Sequence, residues 1–549
     1  MRLEGWTWWI HPRYLEQLKE EIVPILSHTE TLPGAILLKK TENRLIFKGN
    51  LNGLQEPIII KAFKMPYLAD KVKYFFRSSR GHKEYRVSLE LSQQAISAPP
   101  VIAYGVSRRF GFLTGDILIS REIGEAIPLS TWVRNNIVKG PIPFQGKKEI
   151  IKALASFVRR IHDNGVYSRD FHQGNILLKA KKDEPPQFYV TDLHSLGIKK
   201  RVSLRERIYN LAQLNDFGIA VKDRLRFLKY YLSEGVPLDV SIKGLASNID
   251  SVSFTNWQHL WKKRKKKCLR PGKQLSVLQM GSWKGMIRKE YDTNEFLQLL
   301  CRFHPPLSKS NTQKIKESLR TSVTEMECLD QGKSKTLIMK YYKSADFLST
   351  LKELFRPSRA KRAWINAHNL LMRGIPTPLP LAFGEKEQWG LIQESFLITE
   401  KIPEAKASDI FLKELSGKPF AHKNLSTKNL FLVKLARMIQ WMHQTGICHG
   451  DLKASNILVT MQDEEPSVMF VDVDGVKIRN KLRVKDIAKD LSRVSAAFSG
   501  IFFPPERDYL LALYGRGNRF FQDHKNKIVG KIHQLTAEKI RQKQRKSEK

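Results

Sequence analysis

The chain repeats itself. The runs "SRDFHQGNILL" (168–178) and "HGDLKASNILV" (449–459) place Asp170 and Asp451 281 residues apart, and Asn175 and Asn456 by the same interval. His162 and His443 share that offset, as do Gly165 and Gly446. Ahead of each run, Leu154, Phe157, Val158 and Ile161 match Leu435, Met438, Ile439 and Met442. That spacing puts the apolar residues on one face of a helix, which the glycine then ends. Upstream the offset becomes 279: "IIIKAF" (58–63) aligns with "LIMKYY" (337–342), and "AISAPPVIAYG" (95–105) with "GIPTPLPLAFG" (374–384). Downstream, Asp192 in "FYVTDLHS" and Asp472 in "MFVDVDGV" differ by 280. Long blocks in fixed order with small drifts are what loop-length changes leave behind in a duplicated domain.

At 549 residues, 42% hydrophobic, the chain exceeds one core and can fill two. The expected division is a first domain over 1–262, a basic junction over 263–275, and a second domain over 276–549. The junction reading rests on six consecutive basic residues, Lys262 to Lys267, which should be exposed and mutually repelling. They read either as a solvated linker or as a polyanion-docking strip beside Trp257 and Trp261. From about Gly517 the basic terminal stretch reads as a frayed helix. No apolar run is long enough to cross a membrane, and the N-terminus does not read as a secretory signal. Four cysteines without a CxxC pair suit a reducing compartment and speak against a zinc site.

Each repeat runs in one order: a strand bearing a lysine, a helix, a Pro-rich turn into apolar strands, a long amphipathic helix, D-x-x-x-x-N, and two short strands ending in an Asp. That is the order of a protein-kinase-like α+β domain, with a small β-rich lobe and a larger helical one. The residue types suit phosphoryl transfer. Asp170 and Asp451 can accept the proton of an attacking hydroxyl. Asn175 and Asp192 in the first half, and Asn456 and Asp472 in the second, offer hard oxygens to Mg²⁺ or Mn²⁺. Lys61 and Lys340 can meet the phosphates of ATP; singly, each could also be a solvent-facing edge lysine, but they sit in an ordered set. Lys453 in the second half, where the first has His172, is placed to meet the transferring phosphate.

The halves also differ. Glu84 lies 23 residues after Lys61 and can pair with it, whereas the position 23 after Lys340 is Ala363. The second half carries Asp474 near Asp472 as a spare ligand. Neither half has a G-x-G-x-x-G loop, so phosphate cover falls to "PGAILLKKTENRLIFKG" and to the "CLDQGKSK" turn. The first half is expected to be the better nucleotide binder.

The motifs "RGIPTPLPLAFGE", "SFLITEKI" and "HGDLKASNILV…FVDVDGV" in the second half, with "KEYRVSLEL", "RDFHQGNILL" and "RIYNLAQLNDF" in the first, resemble the lipopolysaccharide core kinases of the Kdo/WaaP group. The resemblance implies a kinase-like fold, ATP with a divalent metal, and a Kdo or heptose hydroxyl of a lipid-linked glycan as acceptor. It also implies work at the cytosolic face of a bacterial inner membrane. Lys+Arg outnumber Asp+Glu by 94 to 54, a net charge of +40, which suits an anionic membrane surface. Trp6, Trp8 and Trp9 could anchor at such an interface, although core packing fits them better. Two other readings remain open on sequence: a phosphotransferase acting on a protein or small molecule, and a partly inactive pseudokinase scaffold. No nucleic-acid-binding signature accompanies the charge.

Overall fold

The computed structural model describes residues 1–547 except 20–21, 23–34, 51–55, 66, 139–143, 182–183, 217, 236, 303–312, 319, 331–332, 344–355, 389 and 417–421. It divides into two compact units, Met1–Trp257 and Gln258–Lys549. Each is α+β, with an antiparallel seven-stranded sheet ahead of a helical lobe.

In the first unit the strands lie in the spatial order Arg2–Leu3, Trp6–Ile10, Val101–Arg109, Phe112–Arg121, Ile58–Phe63, Arg44–Gly49, Ile36–Thr41. In the second the order is Leu275–Met280, Trp283–Arg288, Pro380–Gln388, Leu391–Glu400, Lys333–Lys343, Thr321–Asp330, Gln313–Ser318. The two lysine strands are interior. Lys61 faces Leu118 on one neighbour and Ile46 on the other; Lys340 faces Leu397 and Val323. Strand alternation explains the placement. Ile58 and Ile60 enter the core with Phe47, Ile102 and Ile119, so Lys61 lies on the opposite side of the sheet. The edge-lysine alternative is thereby set aside.

Trp8 is buried in that core and Trp6 stacks on it, while Trp9 keeps part of its ring exposed. The first two are therefore packing residues. Helix Phe144–Asp163 in the first unit and His422–Gln444 in the second line the larger lobes with the apolar positions that the sequence pattern marks. Gly165 and Gly446 end them with positive φ, and a Cβ at either would strike a backbone carbonyl, of Lys199 or Arg479. Both constraints exclude larger residues.

Three expectations need correction. The units part inside helix Ile242–Arg264, just before the basic run. The side chains of Lys262 to Lys267 are exposed, but the stretch is no free linker: Trp364 donates to the Cys268 carbonyl at 2.9 Å and Asn369 to that of Lys265 at 3.0 Å. Trp261 is buried with the Arg373 guanidinium over its ring, so it offers no face to a polyanion. Second, the C-terminal stretch is not frayed. Helix Lys525–Ser547 buries Ile528 and Ile532 in the core of the second unit, and Thr536 donates to the Ser492 carbonyl. Third, "CLDQGKSK" is not the phosphate cover. The flanking pair Asp330↔Lys333 lies at the end of strands Thr321–Asp330 and Lys333–Lys343 remote from Lys340, and Gln331 and Gly332 themselves lie outside the described residues. The ladder end nearer Lys340 is the one closed by the pair Ser318↔Thr321. In the first unit the matching turn, Thr41 to Arg44, does fall within the expected stretch.

Candidate active site

In the first unit one buried carboxylate organises the cleft. Glu84, 1% exposed on helix Arg80–Gln93, accepts from Lys61 Nζ at 2.7 Å through Oε2, and its Oε1 lies 2.9 Å from His194 Nδ1. Burial works to raise its pKa; the Lys61 charge and the His194 and Lys61 hydrogen bonds outweigh that and hold it below the ordinary value. Lys61 also stands 3.8 Å from Asp192. Asp192 has a left-handed backbone, φ 52° and ψ 51°, and opens the short turn Leu193–Ser195. A non-glycine residue there is strained, a cost that clusters at functional sites. Arg44, from the strand beside Lys61, grips the same carboxylate with Nη1 at 2.8 Å and Nη2 at 3.4 Å. Burial pushes Asp192 up, but the Arg44 hydrogen bond and the Lys61 charge bring it down to about 2.

The second unit solves the same problem differently. Ala363 is buried on helix Arg359–Met372 where Glu84 stands in the first. Lys340 bonds Asp472 directly, and Asp472 has the same left-handed backbone, φ 60° and ψ 54°. Burial would raise the Asp472 carboxyl; the Lys340 charge lowers it on balance. The helix finds another link: Arg359 Nε donates to Asp474 at 2.8 Å, and its guanidinium lies over the Tyr342 ring. Asp474, expected as a spare ligand, is thus engaged by an arginine.

The two loops holding Asp170 and Asp451 match in backbone and differ in charge. Asn175 Nδ2 donates to the Asp170 carbonyl at 2.9 Å, and Asn456 Nδ2 to the Asp451 carbonyl at 2.8 Å. Each loop abuts the strand that leads to the metal-type aspartate: Thr191 N–H donates to the Asn175 carbonyl and Val471 N–H to that of Asn456. Asp170 is well exposed, with His172 Nε2 3.7 Å away. Asp451 stands 2.9 Å from Arg493 Nη1 and 3.4 Å from Lys453 Nζ. Burial raises the Asp451 pKa, and the charges of Lys453 and Arg493 overcome this to lower it. Lys453 also helps to lower Asp472, so its charge reaches both ends of the cleft.

The sequence reading missed Arg44, Arg359 and a pair of helix residues that fasten the loops from beneath. Buried Asp490 accepts from His449 N–H at 2.7 Å and Gly450 N–H at 2.8 Å. Its counterpart at offset 280, buried Asn210, accepts from Ser168 N–H at 2.9 Å. Three residues on, Arg493 answers to Gln213, which donates to the Arg169 carbonyl at 3.1 Å. Extending the repeat register past Asp192 and Asp472 would have aligned both pairs.

A divalent cation fits the donor set. Asn175 spends its amide hydrogen on backbone, so its side-chain oxygen is the atom left to meet a cation, and Asp192 is ionised beside it. Glu84, Asp192 and His194 can also bring ligand atoms within 4.8 Å of one another. Asn456 and Asp472 repeat the Asn-and-Asp set in the second unit.

A family model described as the lipopolysaccharide kinase (Kdo/WaaP) family matches residues 67–231 and 311–513, one segment in each unit and together more than half of the chain. The chain belongs to this family. Among its Kdo/WaaP relatives, the lipopolysaccharide core heptose(I) kinase WaaP of Escherichia coli (strain K12) is 26% identical over 165 residues, covering 29% of this chain and 61% of that protein. The 3-deoxy-D-manno-octulosonic acid kinase of Pasteurella multocida (strain Pm70) is 30% identical over 126 residues, covering 23% and 47%. The chain thus spans about half the length of the curated relatives it matches. A solved structure of WaaP in complex with acyl carrier protein aligns at 17% identity and a TM-score of 0.34, covering 48% of this chain and 98% of that one.

Proposed function

We propose that this chain is an ATP-dependent kinase that phosphorylates a sugar hydroxyl of the lipopolysaccharide inner core, on Kdo or heptose. The observation that carries the reading is the constellation built twice: a strand lysine bonded to a carboxylate, an Asp–Asn loop, and a left-handed aspartate beside them. Asp170 or Asp451 orients the acceptor hydroxyl and takes its proton as that oxygen bonds the γ-phosphorus and the bond to the ADP oxygen breaks. Lys61 and Lys340 bind the nucleotide phosphates. Asn175 with Asp192, and Asn456 with Asp472, would hold Mg²⁺, which supplies charge neutralisation on the phosphates when bound. Lys453 faces the transferring phosphate in the second unit. Family membership supports the lipid-linked sugar acceptor over a protein acceptor, and the net charge of +40 supports work at the cytosolic face of an anionic inner membrane.

The units divide the labour unequally. The first holds its lysine through Glu84. The second rings its proposed base with Arg493 and Lys453, where the first has Gln213 and His172. The test is transfer of labelled γ-phosphate from ATP to lipid A–core acceptors by Asp170→Ala, Asp451→Ala and the double variant. Loss of a different product in each single variant means two acceptors. Silence of Asp451→Ala alone makes the second unit a scaffold. Undiminished incorporation in the double variant overturns the kinase reading.

A further inference from the structure

The helix Leu68–Phe76 of the first unit wears its apolar stripe on the outside. Leu68, Val72, Phe75 and Phe76 recur at i, i+4, i+7 and i+8, a pattern that ordinarily faces a core. Here only Tyr74 of this helix is buried, while Leu68 is 75% and Phe76 80% exposed. Beside the stripe is the turn between strands Val101–Arg109 and Phe112–Arg121, with Phe110 86% exposed at its tip. The rings are continuous: Phe75 lies 5.0 Å from Phe76 and 5.1 Å from Phe112. The join is built. Arg108 Nη1 donates to the Gly111 carbonyl at 2.8 Å and to the Tyr74 carbonyl at 3.2 Å, pinning turn to helix. Gly111 leaves room for the Phe75 ring where a Cβ would collide.

Phe110 itself is out of keeping with its turn. Phe110 and Gly111 both have positive φ, 52° and 83°. The first position of such a two-residue turn favours Asn, Asp or Gly, and a bulky side chain is disfavoured there. Neither turn chemistry nor core packing accounts for an aromatic ring at that tip. Around the rings stand the exposed cations Lys71, Lys73, Arg77, Arg108 and Arg109. Large apolar patches rimmed by polar groups mark interaction sites, and aromatic tips among Lys and Arg suit a bilayer interface carrying anionic headgroups.

We propose that this patch docks the chain on an anionic lipid bilayer, with Phe76 and Phe110 entering the headgroup–acyl boundary and the surrounding cations resting on phosphate headgroups. Charge complementarity and exposed aromatic tips together fit this occupant: the patch is basic within a chain of net +40, and Phe76 and Phe110 project from among its cations. The proposal rests on the reading that the chain works at an anionic membrane face; because the surface needs neither nucleotide nor acceptor, its failure is distinguishable from failure of the kinase chemistry.

The test is flotation of the full chain, without ATP, with phosphatidylglycerol/phosphatidylcholine vesicles and with phosphatidylcholine vesicles. Phe110→Asn is the informative variant, because Asn suits the turn and the fold is kept. It should weaken partitioning onto the anionic vesicles about tenfold, and Phe76→Ser/Phe110→Asn further, as expected for withdrawing large side chains from the interface. Lys71→Gln/Lys73→Gln/Arg109→Gln should weaken binding to the phosphatidylglycerol-containing vesicles at least about tenfold and leave binding to phosphatidylcholine unchanged. Unchanged partitioning of the double phenylalanine variant overturns the proposal. So does a variant that keeps vesicle binding but loses self-association in sedimentation, which would make the patch an interface between copies of the chain.

Discussion

Replacing Glu84 by Ala gives the first unit the residue that the second has at Ala363, and the structure sets what should follow. Lys61 Nζ lies 2.7 Å from Glu84 and 3.8 Å from Asp192. At an effective dielectric near 20 the gross attractions are about 6 and about 4 kcal/mol, and desolvation cancels much of each. Without Glu84 the lysine does not lose all its partners. It falls back on Asp192, as Lys340 does on Asp472. The gross loss is the Glu84 attraction of about 6 kcal/mol; its desolvation cancels most of that and a closer approach to Asp192 recovers more, leaving about 1.5–2 kcal/mol, or about 10–30-fold in nucleotide affinity. The assay is a double-mutant cycle on binding of a fluorescent ATP analogue, with Asp472→Asn muting the second cleft. Glu84→Ala should weaken binding by that factor when Lys61 is present. In a Lys61→Ala background it should do almost nothing, because the carboxylate then has no ammonium to place. An equal loss with and without Lys61 would refute the reasoning and leave Glu84 as a packing residue.

Arg493→Gln should act on Asp451 through charge. Its folded pKa is held below the ordinary value with the help of Arg493, so ionised Asp451 persists to lower pH; removing Arg493 should move the acid limb of second-unit activity to higher pH, read from a pH–rate profile. Arg44→Ala frees Asp192 from its guanidinium, and the apparent affinity of the first cleft for Mg²⁺, followed by the metal dependence of nucleotide binding, should change while that of the second does not. Ile532→Ala opens the contact of the terminal helix with the second core and should destabilise that unit by about 2–5 kcal/mol, seen as a lower transition for one of two unfolding steps in calorimetry.

What the sequence revealed of the fold and site followed the repeat. Lys61, Asp170, Asn175 and Asp192 are individually common residues; four matched intervals made them a set. Glu84 and Ala363 emerged from the same register. Arg44 did not, because its target lies 148 residues away and only sheet packing brings them together. Arg359 was hidden for the same reason, 115 residues from Asp474. The glycine in "CLDQGKSK" drew attention to the wrong turn, since a glycine-poor hairpin gives no local cue. The terminal helix was misjudged because Ile528 and Ile532 are spaced one turn apart among so many cations that the stripe is diluted.

The two clefts also differ in how they withstand mutation. In the first, both ties of the helix run through one buried node: Glu84 touches the strand lysine and the turn that carries His194, so a single substitution removes both together, while the sheet keeps its hold on Asp192 through Arg44 and Lys61. The second is wired in parallel, Lys340 to Asp472 and Arg359 to Asp474, and losing either tie leaves the other. The helix of the first cleft therefore loses its two ties in one step, while that of the second leaves the sheet–loop tie untouched when its own is lost.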